Sequence, residues 1–201
     1  KRYAQILELG NIIDKNEIRS VNNLFGVQQN FKKAIRFYEI AADSGDVDCM
    51  VKTAQFYEEG RPNVDQNMEK AAHFYRKASE HQSEQSMFKY AVMLNNGIGV
   101  HKDVNEAKLL FKKLADKGDE KSMMEYAMIA EKNDNNIQEA LFYYIKAASI
   151  GQNNSSAYYN SGRMLELLSN KENPPNEEEM KNAAVNYKTA ADMGDNNAMF
   201  R

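Results

Sequence analysis

The chain has 201 residues, of which 42% are hydrophobic and 27% are charged, and its net charge is −3. This charge disfavours nucleic acid as a partner, because proteins that bind it present a basic surface, and no apolar run is long enough for direct membrane insertion. The single cysteine, Cys49, rules out an internal disulfide and suits a reducing compartment, so we expect a cytoplasmic protein. Because the chain opens with Lys1 rather than methionine, we also expect it to be a fragment.

Two kinds of segment alternate along the chain, and the first is a helix with a small residue near its centre, which we name helix A. The small residues, where another helix could cross closely, are Gly10, Ala54, Ala91, Ala127 and Gly162. A larger apolar residue usually follows three positions later, as Leu94 follows Ala91, and this spacing indicates one helical face. The predicted N-caps of these helices are Asp46, Ser83, Asp119, Asn154 and Asp195.

The second segment, helix B, has an alanine, an aromatic residue four positions later and small residues one turn further on. The alanines are Ala34, Ala71, Ala107, Ala140 and Ala183. The aromatics are Tyr38, Tyr75, Phe111, Tyr144 and Tyr187. This spacing places both on one face of a helix, so we expect the aromatics to be largely buried between neighbouring hairpins.

Helix A and helix B together form a helical hairpin that recurs at intervals of about 33 to 43 residues. This recurrence predicts an all-α solenoid in a single array over residues 1–201, with about five hairpins and the start of a sixth. The predicted pairs are 3–45, 46–82, 83–118, 119–151 and 154–194, with a partial repeat at 195–201. Pro174 and Pro175 should interrupt any helix in the long loop of the last pair.

The loop "NNGIGVHKD", residues 95–103, has two glycines ahead of a helix, as phosphate-binding loops do. A dinucleotide fingerprint needs a third glycine and a preceding strand. This loop lacks the third glycine, and the segment before it has a helical pattern. We therefore expect Gly97 and Gly99 to turn the chain from helix A into helix B.

The segment "AVMLNNGIGVHKDVNEAKLLFKKLADKGD", residues 91–119, resembles the Sel-1-like repeat, a relative of the tetratricopeptide repeat (TPR) with longer connections. The elements that carry the resemblance are Gly97, Gly99, Val100, Asp103, Ala107, Phe111 and Gly118. The preceding hairpin keeps Gly60, Val64, Lys70, Ala71 and Tyr75. The resemblance recurs in register over nearly the whole chain, and it implies an α/α superhelical solenoid of helix-turn-helix, TPR-like repeats.

No combination of residues indicates catalysis, a cofactor or a metal site. A metal site needs several converging ligands. No acid cluster accompanies the three histidines of the sequence, which are His73, His81 and His101. Cys49 holds the position of Ser86 and Ser122 near the start of a helix A, which favours a packed small residue over a nucleophile. We expect neither enzymatic activity nor a cofactor.

The resemblance implies a scaffold or adaptor for protein–protein interaction that presents a concave helical-repeat surface to a protein or peptide partner. If the hairpins pack as in TPRs, the concave positions follow from helical spacing around the small residue of helix A. They are Val51, Gln55, Phe88, Val92, Met124, Met128, Tyr159 and Arg163.

Two interpretations of these concave residues are open. Strong superhelical curvature would bury them within the array. Otherwise they line a groove for an extended or helical partner segment, in which Phe88, Met124 and Tyr159 are anchors and Gln55 and Arg163 bind polar or carboxylate groups.

Two other functions are also open. The chain could be an accessory repeat region of a larger enzyme, such as a protein kinase. It could instead be an adaptor for protein quality control in the lumen of the endoplasmic reticulum, a function known in the family that it resembles. Asn153 and Asn154 each begin an N-x-S glycosylation sequon, which suits the second alternative.

Overall fold

The fold is helical throughout the part of the chain that can be described. The computed structural model describes residues 1, 5, 30–151, 154–171 and 174–200. Within these ranges the β-type pairing is limited to an isolated bridge between Arg61 and Val64, and none of the helices is long and apolar enough to cross a membrane. The first predicted helix A, around Gly10, lies outside the described residues.

The chain divides into two compact units, Lys1–Asp103 and Val104–Arg201. The described helices of the first unit, each packed against the next, are α1 (Phe31–Asp43), α2 (Val47–Glu59), α3 (Met68–Glu80) and α4 (Glu84–Asn96). Those of the second are α5 (Val104–Asp116), α6 (Glu120–Lys132), α7 (Ile137–Ile150), α8 (Ser155–Ser169) and α9 (Glu177–Asp192), followed by a 3-10 turn (Ala198–Phe200). Even-numbered helices are A helices and odd-numbered ones are B helices, so the predicted all-α repeat architecture is confirmed.

The A helices begin at the predicted caps because the preceding side chain accepts a hydrogen bond from the first turn. Asp46 accepts from the Cys49 N–H at 2.9 Å, and Asp119 accepts from the Ser122 N–H at 2.8 Å. Ser83 and Asn154 cap α4 and α8 in the same way. These bonds satisfy N–H groups that have no partner within the helix.

The core lies between consecutive helices and contains the recurring aromatics of the B helices. All five are buried, and the least buried is Tyr187 at 8% exposure. The small residues of the A helices, such as Ala54 and Ala91, are completely inaccessible to solvent. A Cβ atom added to Gly162 would lie 3.0 Å from the Tyr187 ring, so helix A and helix B cross at van der Waals distance.

The loop glycines Gly97 and Gly99 are constrained in different ways. Both adopt positive φ, +71° at Gly97 and +66° at Gly99, which other residues rarely adopt. A Cβ atom on Gly97 would lie 3.2 Å from the Cβ of Lys102, whereas one on Gly99 would lie 2.1 Å from the backbone oxygen of Met68. The loop thus closes against the N-terminus of α3, and only Gly99 is fixed by this contact.

The glycine that ends α7, Gly151, has an extended backbone with φ −78° and ψ 112°, so it needs no left-handed conformation. A Cβ atom there would lie 2.6 Å from the Glu120 carboxylate. That carboxylate accepts a hydrogen bond from the side-chain amide of Asn154, which caps α8. Gly151 therefore makes room for a carboxylate between two hairpins.

Gly99→Ala should lower the free energy of unfolding more than Gly97→Ala. The left-handed backbone costs alanine about 1 kcal/mol at either position, and the clash with Met68 adds about 1–3 kcal/mol at Gly99 alone. Denaturant unfolding of the two variants measures the difference. Equal losses would contradict the close approach of Gly99 to Met68.

Tyr75→Ala should lower the free energy of unfolding by about 3–5 kcal/mol, because it removes a large ring from the core. Tyr75→Phe keeps the ring and should cost about 1.5–3 kcal/mol, the contribution of the lost hydroxyl hydrogen bond to the charged Glu58 carboxylate. Thermal and denaturant unfolding distinguish the two. A loss below about 1 kcal/mol for Tyr75→Ala would place the ring outside the core.

Candidate functional site

The residues predicted to face a partner lie on A helices, and every one of them is half-buried. We name the four on α2 and α4 the unit 1 face: Val51, Gln55, Phe88 and Val92. We name the four on α6 and α8 the unit 2 face: Met124, Met128, Tyr159 and Arg163. Half-burial means that each side chain is packed on one side and reaches solvent on the other. Their contact with a partner stays a prediction.

The unit 1 face borders an open cavity of about 400 Å³. Val51 and Gln55 line it together with Lys52 and Cys49. Burial, followed by a hydrogen bond with Asp46, raises the pKa of the Cys49 thiol to about 11. The thiol is therefore protonated at neutral pH and behaves as a small apolar side chain in the wall of the cavity.

A carboxylate on α2, Glu58, connects helices within unit 1. It accepts a hydrogen bond from the Tyr75 hydroxyl on α3 and one of 2.7 Å from Lys89 Nζ on α4. Burial alone would raise the pKa of Glu58, but the bonds from Lys89 and Tyr75 outweigh it and lower that pKa. Glu58 is therefore ionised, and the positive charge of Lys89 in the same unit balances its negative charge.

Glu131 on α6 has the corresponding partners within unit 2. It accepts a hydrogen bond of 3.2 Å from the Tyr144 hydroxyl and one of 2.7 Å from the Arg163 guanidinium. Arg163 also donates to the Asn160 side chain at 2.9 Å. Burial would lower the pKa of Arg163, but its bond with Glu131 raises it. Arg163, predicted to bind a partner carboxylate, is already bound to a carboxylate of its own unit.

Sequence reasoning missed these acids, although a periodic signal marks them. The residues four positions after the small residue of helix A are Glu58, Asn95, Glu131 and Glu166. Glu166 accepts a hydrogen bond of 2.7 Å from the Tyr187 hydroxyl, so an acid pairs with a tyrosine in three of these four repeats. The repeat with Asn95 has Phe111, which has no hydroxyl, in its helix B. The acid and the tyrosine therefore change together along the sequence.

Another acid on α6, Glu125, has no partner of this kind among the described residues. It is half-buried and holds the position of Lys89 in α4, two residues before the small residue of the helix. Within the described ranges it has no hydrogen-bond or ion-pair partner. Burial raises the pKa of Glu125, and the charge of Lys132 offsets this effect only in part. Glu125 follows Met124 in α6, and among the described residues no cation is in contact with its carboxylate.

The ring of Tyr159 packs against Tyr187, an aromatic residue of the core. Its ring centroid lies 5.7 Å from that of Tyr187, with an angle of 50° between the ring planes. Aromatic pairs in this range attract each other beyond the area that they bury. The ring is therefore pre-positioned at the edge of the unit 2 face.

No metal site accompanies these faces in the described part of the chain, where no three His, Cys, Asp or Glu residues lie close enough to hold an ion. All three histidines are exposed. His73 packs edge-on against Phe74, with 5.2 Å between ring centroids. The residues of the two faces are apolar or aromatic apart from Gln55 and Arg163.

Comparison with known families supports the repeat assignment. The Sel1 repeat model matches residues 21–46, 47–83, 84–119 and 131–152, which is more than half of the chain. A comparison with curated proteins gives no match.

Solved structures of repeat proteins are similar to this chain. One is c5321, a protective antigen of uropathogenic Escherichia coli strains with an SLR fold (25% identity, TM-score 0.68), whose alignment covers 92% of this chain and 38% of c5321. A Sel1 repeat protein from Oxalobacter formigenes has 24% identity and a TM-score of 0.64, over 89% of this chain and 69% of that protein. YrrB, a TPR protein with an unusual peptide-binding site, has 17% identity and a TM-score of 0.58, over 92% of this chain and 86% of YrrB. The chain thus spans less than two fifths of c5321.

Glu125→Gln should raise the free energy of unfolding at pH 7. Folding raises the pKa of Glu125 above its value in the unfolded chain, which is about 4.3. The free energy of unfolding therefore falls as the pH rises from the unfolded pKa through the folded pKa. The gain from Gln should therefore be present at neutral pH and absent in acid. Denaturant unfolding across this pH range measures it.

Glu131→Gln is the matched control on the same helix. It leaves Arg163 without its carboxylate, so it should lower the free energy of unfolding at pH 7. Loss of stability in both variants would contradict the unpaired state of Glu125.

Proposed function

The chain belongs to the Sel1 repeat family, and we propose that it is a scaffold whose A-helix faces bind an extended or helical segment of a partner protein. Helical repeats of this kind commonly serve protein–protein interaction by presenting a preformed surface. The observation that carries the proposal is the half-burial of all the predicted contact residues on the A helices. A surface that is held in place in advance loses little conformational entropy on binding.

The apolar part of the faces favours apolar anchors on the partner. Phe88 and Val92 on α4, and Met124 and Met128 on α6, are half-buried side chains of the type that is enriched where helices and peptides bind. Further burial of these side chains by a partner removes apolar surface from water. We expect one or two bulky apolar residues of the partner to contact each face.

An acid on the same helix as Met124 and Met128, Glu125, favours a cation on the partner. Arg163 is already bound to Glu131, so it adds little attraction for a partner carboxylate. Glu125 has no such partner among the described residues, and its partial burial makes its charge unfavourable in the free chain. A lysine or arginine placed beside Glu125 would offset that cost, so we propose a partner segment with apolar residues and one basic residue.

Two side chains favour a reducing compartment such as the cytoplasm over the endoplasmic-reticulum lumen. Cys49 is buried as a free thiol. The Asn154 amide donates to Glu120 at 2.6 Å, and its oxygen accepts from the Ala157 N–H at 2.9 Å. A glycan on Asn154 would remove a donor hydrogen from this cap. Asn153, the other sequon residue, lies outside the described residues.

The proposal is tested by selecting peptides that bind the intact chain from a random displayed library. We expect the selected peptides to share apolar residues and a lysine or arginine. Enrichment of acidic peptides, or the absence of any enriched sequence, would contradict the proposal. Selection against the Glu125→Gln chain should abolish the preference for the basic residue and keep the apolar ones.

Phe88→Ala and Met124→Ala, each made alone, should weaken binding of a selected peptide about tenfold or more when they remove an anchor. Each variant tests the face of one unit, by fluorescence anisotropy with a labelled peptide. The melting temperature should stay near that of the unaltered chain. A large fall in melting temperature would instead show that the residue belongs to the core.

His73→Ala is the control, because His73 is exposed on a B helix and outside both faces. It should change neither peptide affinity nor melting temperature. Equal weakening by His73→Ala would mean that the peptide binds outside the A-helix faces.

A further inference from the structure

The loop at residues 95–103 contains the pair Asn96–Gly97, and Asn96 is the only asparagine of the sequence that a glycine follows. Asparagine is a chemically labile residue, because the backbone nitrogen of the next residue can attack its side-chain carbonyl carbon. Glycine hinders this attack least, since it has no Cβ atom. Asn96 is the last residue of α4 and is exposed to solvent. The pair therefore has the residue types that this reaction needs.

The reaction is an internal substitution followed by hydrolysis. The Gly97 nitrogen loses its proton to solvent and forms a bond to Asn96 Cγ, while the bond from Cγ to Nδ2 breaks and ammonia leaves with a proton from water. The product is a cyclic succinimide. Water then adds to either carbonyl group of the ring and opens it to aspartate or to isoaspartate. Nothing is oxidised or reduced, and water is the only co-reactant.

The folded end of α4 opposes this attack in two ways. In a helix the Cα–Cβ bond is tilted toward the N-terminus, so the Asn96 side chain is directed at the preceding turn. The hydrogen bond from Asn96 Nδ2 to the Val92 carbonyl, at 2.9 Å, holds it there. The attacking nitrogen is also engaged, since the Gly97 N–H donates to the Met93 carbonyl. The turn must unwind before the nitrogen can reach Cγ.

Contacts of the following loop keep the last turn of α4 closed. The Asp103 N–H donates to the Leu94 carbonyl at 3.0 Å. Gly99 packs against the backbone of Met68, where an added Cβ atom would lie 2.1 Å from the carbonyl oxygen. Helix ends and loops open with less free energy than a whole domain. The free energy of this local opening therefore sets how often the reaction can start.

We propose that Asn96 is a deamidation site, which the folded last turn of α4 keeps inert and which reacts when that turn unwinds. Either product leaves the turn less firmly closed. An aspartate at this position has a negative charge at the C-terminal end of a helix, where the helix dipole disfavours it. An isoaspartate adds a carbon atom to the main chain ahead of Gly97. Neither product has the amide that donates to Val92.

Peptide mass spectrometry tests the proposal, because it distinguishes asparagine from the two acids and separates aspartate from isoaspartate. The unaltered chain is incubated folded and in denaturant, at the same mildly alkaline pH and the same temperature. Deamidation at Asn96 should be at least about tenfold slower in the folded chain. Equal rates in the two states, or no reaction at Asn96 in denaturant, would overturn the proposal.

Two glycine variants locate the opening. Gly99→Ala pushes the loop away from Met68 and should speed deamidation of the folded chain about tenfold, which corresponds to about 1.4 kcal/mol of lost closing free energy. Gly45→Ala is the matched control in the same unit, since Gly45 also has a positive φ, +94°, but an added Cβ atom there meets nothing within 4 Å. It should leave the rate unchanged. Equal acceleration by both variants, which would assign the reaction to unfolding of the whole unit, or no acceleration by Gly99→Ala would overturn the local opening.

Gly97→Ala tests the attacking atom. A Cβ atom next to the nitrogen hinders its approach to Asn96 Cγ, so the variant should deamidate about tenfold more slowly in denaturant. Denaturant removes the effect of the folded turn, so this comparison concerns the chemistry alone. An unchanged rate, with aspartate as the only product, would show direct hydrolysis of the side chain and would overturn the attack by Gly97.

Discussion

The close crossing of helix A and helix B is the constraint on which the rest of this structure depends. The small residue of helix A lets the aromatic residue of helix B reach across it, as Tyr187 does at Gly162. A larger residue at the crossing would separate the helices and open a cavity around each ring. Because the aromatic side chain lies so close to helix A, its hydroxyl reaches the acid four positions further along that helix, as the Tyr187 hydroxyl reaches Glu166.

This geometry converts a packing contact into a polar connection between repeats. In unit 1, Glu58 joins the tyrosine of its own hairpin to Lys89 of the next A helix. In unit 2, Glu131 does the same with Tyr144 and Arg163. Partly buried charges are tolerated here because each is hydrogen-bonded and paired. Glu125 has no such partner among the described residues and burial raises its pKa, and an acid whose pKa is shifted in this way is a candidate for function.

The repeat also separates two kinds of surface. The A-helix faces hold half-buried side chains whose positions are set by the core beneath them, as Tyr159 is set by Tyr187. The outer sides of the B helices carry exposed residues of different kinds in different repeats, such as His73 on α3 and Phe142 on α7.

The sequence by itself determined the features that depend on neighbours along the chain. Caps such as Asp46, the recurring hairpin and the buried aromatics could be predicted, because helical spacing and local hydrogen bonds fix them. Only the tertiary structure decided that Gly99 lies against Met68, that Arg163 is bound to Glu131 and that Glu125 meets no partner in the part of the chain that the structure describes. Sequence spacing places a residue on a helical face, but which charges meet across that face depends on the distance and angle between helices that are far apart in the chain.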